Sequence, residues 1–265
     1  MAVKPMQFPK GKDVPCVFIC DSRDNILNDD FEFEGILRLF PLVKQQHILT
    51  KKVRSLRNVA LCNQILQLAG ISMVTGQNWR TLNFGRNMYG KPECHEIKGL
   101  AFNMSNSNGR TALYLDNVSD VGIDLASTQD CSQFDDEDYV CTFKDIFAAR
   151  ELSSLEQMTP GAARDQSFTH YWSLKESYTK LTGTGLNCDL SEIDIGVLQP
   201  LRPGDAVQII VRQISNETIV FQSEWLDDST VVSICKRKSA YEEEQIIPMF
   251  ELKVAEIVSL LNSTK

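Results

Sequence analysis

Residues 163–182 read as one long helix, and this helix constrains the fold more than any other stretch of the chain. Pro160 and Gly161 break the pattern before it. Gly183 and Gly185 end it, since glycine tolerates the left-handed turn at a helix C-terminus. Before it lies a shorter helical segment with Phe143, Phe147, Leu152 and Leu155 on one face, preceded by a strand, VGIDLA, from Val121. After it come three strands, 206–214, 217–226 and 231–237, the first two joined by a hairpin turn within 213–218. The first half of the chain follows a similar order. A buried strand spans 14–20. A helix spans 51–69, with Leu56, Val59, Cys62 and Leu66 in one stripe and Gly70 as its stop. Short strands follow near 80–84, 99–105 and 111–116. A last amphipathic helix is expected over 249–262. The order predicts an α+β protein of two similar lobes, residues 1–118 and 119–265, joined at a turn near 117–121. The repeat is one of element order, with no literal repeat of sequence.

Charge narrows what such a chain binds. The net charge is −8, against general binding of nucleic acid. Yet Gly35–Pro92 contains no Asp or Glu and nine basic residues, Arg38, Lys44, Lys51, Lys52, Arg54, Arg57, Arg80, Arg86 and Lys91, which leaves −17 for the rest. One cationic segment in an acidic chain is either a polyanion site, for a phosphorylated ligand, or a solvated basic face. No stretch approaches the roughly 18 apolar residues of a membrane helix, and the N-terminus has no apolar core of a secretory signal. The eight cysteines form no C-x-x-C pair, so buried reduced thiols in a cytoplasmic protein are expected rather than zinc ligands.

Two carboxylates stand out. Phe168, Trp172, Glu176 and Lys180 recur every four residues and share one face of the long helix. By spacing alone, Glu176 and Lys180 most often form an i,i+4 pair at the rim of a core, worth about 0.3–0.5 kcal/mol. In VGIDLAS, alternation puts Gly122, Asp124 and Ala126 on one face of the strand, so Asp124 is the lone acid on a face of small residues that something can approach closely. An Asp there either caps a loop or, with Glu176, offers the one or two carboxylates that Mg²⁺ takes alongside substrate phosphates.

The motifs then join up. Gly90-Lys91-Pro92, Phe102-Asn103-Met104-Ser105, Gly122-Ile123-Asp124 and Trp172 through Leu186 (WSLKESYTKLTGTGL) occur in one order over about residues 45–190. This arrangement resembles the Sfp-type 4′-phosphopantetheinyl transferases, and HYWSLKESYTKLTGTGLN is similar to the fungal members that activate α-aminoadipate reductase in lysine biosynthesis. The resemblance implies a pseudo-dimeric fold with its active site at the lobe junction. It implies transfer of the 4′-phosphopantetheine arm of coenzyme A to a serine of an apo carrier domain, expected to be that of α-aminoadipate reductase. It also implies Mg²⁺ held by Asp124 and Glu176, with Glu176 or a water it orients as base. Lys180 would contact the phosphates and stabilise the leaving oxygen. Lys91 would sit near the adenosine and its 3′-phosphate, and Ser105 would hold phosphates. Arg54 and Arg57, ahead of Lys51 and Lys52, would grip the 3′-phosphate. Glu151 matches a family carboxylate near the metal. Two lobes in one chain suggest a monomer.

Two positions depart from the family pattern. Asn106 stands where relatives carry a phosphate-contacting His, and it can donate a hydrogen bond but carry no charge. Ala126 stands where many carry a third metal carboxylate, so a two-carboxylate site is expected. Both losses leave an alternative, a catalytically impaired carrier-domain-binding protein of the same fold.

Overall fold

The computed structural model describes residues 14–86, 92–94, 96–134, 138–238 and 245–263. The chain begins with strand β1 (Cys16–Asp21) and two short helices, α1 (Asp30–Leu37) and α2 (Leu42–Leu49). Helix α3 (Arg54–Thr75) follows, then the small strands β2 (Phe84–Arg86) and β3 (Pro92–Cys94) and the hairpin β4 (Ala101–Ser107) and β5 (Arg110–Asp116). Sequence periodicity missed α1 and α2. Phe31 and Leu42 are exposed while Phe33 and Ile48 are buried, so neither helix shows a clean apolar stripe.

Helix α3 is longer than its pattern suggested, and the reason lies in its glycines. Gly70 does not stop it. A Cβ there would stand 2.5 Å from Leu113 Cδ2 and 3.1 Å from Phe18 Cδ2, so Gly70 is the point where α3 presses on β5 and β1. The stop is Gly76, with φ +70° and its N–H bonded to the Ser72 carbonyl.

The second lobe starts at β6 (Val121–Ser127), continues through α4 (Tyr139–Thr142) and α5 (Ala149–Glu156), and reaches α6 (Ala162–Thr182), the long helix read from sequence. Strands β7 (Gln208–Ile214), β8 (Glu217–Trp225) and β9 (Thr230–Arg237) complete it. The β7–β8 turn is Ser215-Asn216, both with positive φ, the twist a two-residue hairpin needs.

With strand β10 (Met249–Glu251), the larger sheets have four strands each, ordered β10-β1-β5-β4 and β6-β9-β8-β7. β4 lies beside β6. Val17, Ile19, Tyr114, Ile123, Val232 and Ile234 form a buried cluster shared by strands of both sheets. Strand β10 pairs parallel with β1, and helix α7 (Val254–Ser263) packs on α3. The expected helix over 249–262 is therefore a strand followed by a shorter helix. Residues 249–263, which a single boundary near 118 places with the second lobe, complete the core of the first. Gln222 of β8 anchors the return by exchanging two hydrogen bonds with the Ile247 backbone, at 2.9 and 2.7 Å.

Candidate active site at the lobe junction

The small-residue face of β6 meets helix α6. A Cβ on Gly122 would stand 1.9 Å from the Ser177 carbonyl oxygen and 2.7 Å from the Leu181 nitrogen. No side chain fits there, so Gly122 sets how closely helix and strand approach. That contact brings Lys180 of α6 to Asp124 of β6, while β4 supplies Ser105 from the other lobe.

These three side chains form a closed triangle. Lys180 Nζ donates to Asp124 Oδ1 at 2.6 Å and to Ser105 Oγ at 2.9 Å, and Ser105 Oγ donates to Asp124 Oδ1 at 2.9 Å. The Leu125 N–H also donates to Ser105 Oγ, at 3.1 Å. With two donors accepted and its proton given away, the Ser105 hydroxyl is fully engaged in orienting Asp124 and Lys180. The sequence motif expected it to hold phosphate; in this structure it holds the carboxylate and the amine.

Beside the triangle, two carboxylate oxygens lack partners. Asp124 Oδ2 and Glu176 Oε1 are both buried and make no hydrogen bond among the described residues. Burial pushes the Asp124 carboxyl up from its ordinary value, with Lys180 and Ser105 pulling it back. Burial, then the neighbouring Asp124 charge, pushes Glu176 up, with Lys180 opposing. Orphaned acidic oxygens out of water are costly unless a donor or cation joins them. Hard oxygen ligands in that state suit Mg²⁺. No cluster of three or more His, Cys, Asp or Glu side chains that could hold a metal occurs among the described residues.

Glu151 is elsewhere. It is fully buried and paired with Lys175 Nζ at 2.8 Å, and it accepts from the Ala148 and Ile195 backbone N–H groups. Its oxygens are committed to α5, α6 and the loop after α6.

The cationic segment also resolves into separate roles. Arg54 donates to the Leu27 carbonyl, pairs with Asp30 at 2.5 Å and stacks over the Phe33 ring. It fastens α3 to α1 and to the turn before α1. Arg57 lies one turn after Arg54, on the side of α3 that carries Gln64 one heptad on, and its Nη2 donates to the Lys52 carbonyl at 3.2 Å. Its Nε is buried without a hydrogen-bond partner among the described residues. Lys44 of α2 reaches the same flank, donating to Gln64 Oε1 at 2.8 Å and lying 5.6 Å from the Phe84 ring centroid. Burial pulls its ammonium down. In the sequence Lys44 is one basic residue among nine, and residues 42–49 carry no clean apolar stripe to mark the helix that turns it inward. Asn106 is exposed and lines a groove of about 510 Å³ with Arg54, Asn58 and Asn108. Lys91 lies outside the described residues.

Two further hollows are lined by sequence neighbours of the triangle residues, though by none of the three themselves. One of about 600 Å³ lies between Pro92, Phe102, Asp120 and the end of α6 at Leu181–Gly183. The other, about 200 Å³ and mostly apolar, is lined by Ala126, Cys131, Phe134, Phe143, Phe168 and Trp172, the last one helical turn before Glu176.

The chain is similar to known proteins over much of its length. A family model described as the 4′-phosphopantetheinyl transferase superfamily matches residues 120–235, the stretch from the start of β6 into β9. The chain is 37% identical over 229 residues to an L-aminoadipate-semialdehyde dehydrogenase-phosphopantetheinyl transferase of Saccharomyces cerevisiae, covering 84% of this chain and 81% of the relative. It is 34% identical over 240 residues to the protein of that name from Eremothecium gossypii, covering 89% and 86%. A 4′-phosphopantetheinyl transferase of Bacillus subtilis is 30% identical over 114 residues, 43% of this chain and 47% of the relative. With likeness of that depth spanning both lobes, and with Asp124, Glu176 and Lys180 gathered where the lobes meet, the chain belongs to the 4′-phosphopantetheinyl transferase superfamily.

Proposed function

We propose that this protein moves the 4′-phosphopantetheine arm of coenzyme A onto a serine of an apo carrier domain, that of α-aminoadipate reductase, using a two-carboxylate magnesium site. The observation that carries the reading is the pair of orphaned, buried oxygens on Asp124 and Glu176 beside a lysine already poised on a carboxylate.

The chemistry is a displacement at phosphorus. The serine oxygen forms a bond to the β-phosphorus, and the bond from that phosphorus to the bridging oxygen breaks, releasing adenosine 3′,5′-bisphosphate. Glu176, its carboxyl raised by burial and by Asp124, takes the serine proton directly or through a water. Lys180 neutralises the leaving oxygen, and Ser105 fixes Lys180 and Asp124 in register. Mg²⁺, held by Asp124 and Glu176, supplies neutralisation of the pyrophosphate when bound. Arg57 and Lys44 grip the 3′-phosphate. The 600 Å³ hollow beside Pro92 lies in the size range of small-ligand sites and takes the nucleoside. The apolar hollow at Trp172 faces the carrier side. Both lobes of one chain complete the site, which fits a monomer, and the free cysteines fit a cytoplasmic protein.

The test is intact-mass spectrometry of the apo carrier domain after incubation with protein, coenzyme A and Mg²⁺. The carrier gains the mass of phosphopantetheine, and chelation of the metal stops the gain until Mg²⁺ is restored. An unmodified carrier that nonetheless binds the protein tightly would favour the impaired carrier-binding reading.

A further inference from the structure

We infer that the buried ion pair Glu151–Lys175 is a positioning device for the metal site, acting through the rotation of α6. The inference rests on the metal reading above. It gives Glu151 a role that involves no contact with metal or substrate.

The pair is fully enclosed, with side-chain exposures of 0% for Glu151 and 1% for Lys175. Both Glu151 oxygens and all three Lys175 protons are engaged. Glu151 Oε2 takes Lys175 Nζ at 2.8 Å and the Ala148 N–H at 2.9 Å, and Oε1 takes the Ile195 N–H at 2.6 Å. The two remaining Lys175 protons go to the Leu190 carbonyl at 2.9 Å and the Ile193 carbonyl at 2.5 Å. One side chain of α6 is thus bolted to the start of α5 and to the loop that follows α6.

Lys175 immediately precedes Glu176. Adjacent helical residues project about 100° apart, so fixing the direction of one fixes the direction of the next. Gly122 sets the distance of α6 from β6, because it allows the Ser177 carbonyl to approach, but a close approach of backbones does not by itself set the helix's rotation about its axis. The Lys175 anchor on the far side of the helix supplies that second constraint. Glu176 itself has an oxygen with no partner among the described residues to steady it. A rotation of only about 20° swings a carboxylate some 6 Å from the helix axis by about 2 Å, and misplacement of about 1 Å at a reacting centre can cost on the order of 100-fold in rate. A fully buried ion pair is weak grounds for stability, because desolvation offsets the attraction. Here it sits where direction matters.

The experiment pairs Glu151→Gln with Lys175→Met in one variant. It removes both charges while leaving an acceptor for Ile195. Mn²⁺ binding to the coenzyme-free protein is measured by electron paramagnetic resonance, alongside thermal unfolding and steady-state kinetics. Wild type must bind Mn²⁺; if it does not, the metal reading itself fails. Given that, the double variant is expected to bind Mn²⁺ at least about 10-fold more weakly and to lose about 100-fold in kcat, with KM for coenzyme A within a factor of about three. Should the double variant not fold, Glu151→Asp keeps the charge, shortens the arm, and is expected to show the same split in smaller measure. Unchanged Mn²⁺ affinity and unchanged kcat per folded molecule, whatever the melting temperature does, would overturn the inference and leave the pair purely structural.

Discussion

Asp124, Glu176 and Lys180 could be read as a site before any coordinates, but only because ordered motifs stood around them; spacing alone made Glu176 and Lys180 an ordinary surface pair. The structure shows that Lys180 bonds across to Asp124 and Ser105, on two other elements. That arrangement depends on tertiary packing, which no helical period encodes. The two arginines ranked together by sequence part company for the same reason. Arg57→Ala is expected to raise KM for coenzyme A by about 10-fold, as loss of a charge-assisted contact does, and to leave KM for dephospho-coenzyme A nearly unchanged. Equal effects on both substrates would remove Arg57 from the 3′-phosphate. Arg54→Ala instead strips the Leu27 carbonyl and Asp30 of their partner, and is expected to lower stability by about 1–2 kcal/mol with little change in KM. Titration adds a third residue. His170 is buried with its Nε2 unpartnered among the described residues, and burial lowers its pKa from 6.5 to about 4. The unfolded chain takes up the proton first as pH falls. The neutral buried ring therefore contributes its stability fully above about pH 6.5 and loses it progressively down to about pH 4, about 3 kcal/mol at most. Asp124 and Glu176, with raised carboxyls, act in the opposite sense. Urea denaturation of wild type against His170→Gln isolates the histidine, and the difference should change between those pH values. A constant difference would contradict the burial account.

At the scale of elements, glycines decide more than apolar periods do. Gly70 and Gly76 look alike in sequence, yet one is a packing contact inside α3 and the other its terminus. Gly122 was legible as part of a small-residue face, though not that a helix would be what approaches it. Replacing Gly122 by Ala drives a methyl into backbone, which cannot rotate away. Replacing Gly70 by Ala meets side-chain ends at Leu113 and Phe18 that can shift. Gly122→Ala is therefore expected to cost at least about 3 kcal/mol and to abolish activity, and Gly70→Ala about 1–3 kcal/mol with activity retained in the folded fraction. Chemical denaturation with activity per folded molecule checks the order, and a reversed order would mean that α6 is not held against β6 as described. Residues 249–251 illustrate another limit. Phe250 fits a helical stripe, but its ring lies 5.9 Å from that of Phe18 because β1 offers a free edge to pair with. An edge in need of a partner is a property of the assembled sheet.

For the whole molecule, the lobes are not independent along the chain. The first lobe is completed by the last residues: α7 packs on α3, the Trp79 indole N–H donates to the Leu261 carbonyl at 2.7 Å, and Arg110 links β5 to Asp21, Asp227 and Glu251. Removing residues 249–265 is expected to abolish cooperative unfolding of the whole chain, read by circular dichroism in urea; a truncated protein with the wild-type midpoint would contradict this closure. The same junction holds the site, since Ser105 comes from one lobe and Asp124, Glu176 and Lys180 from the other. Single-turnover transfer to the carrier domain by Glu176→Gln, with its melting temperature as the folding control, tests that claim most directly. The account predicts a native-like melting temperature and a rate lower by at least about 1,000-fold, the loss expected when a group acting in the transition state is removed. A folded Glu176→Gln protein that transfers the arm at the wild-type rate would contradict it.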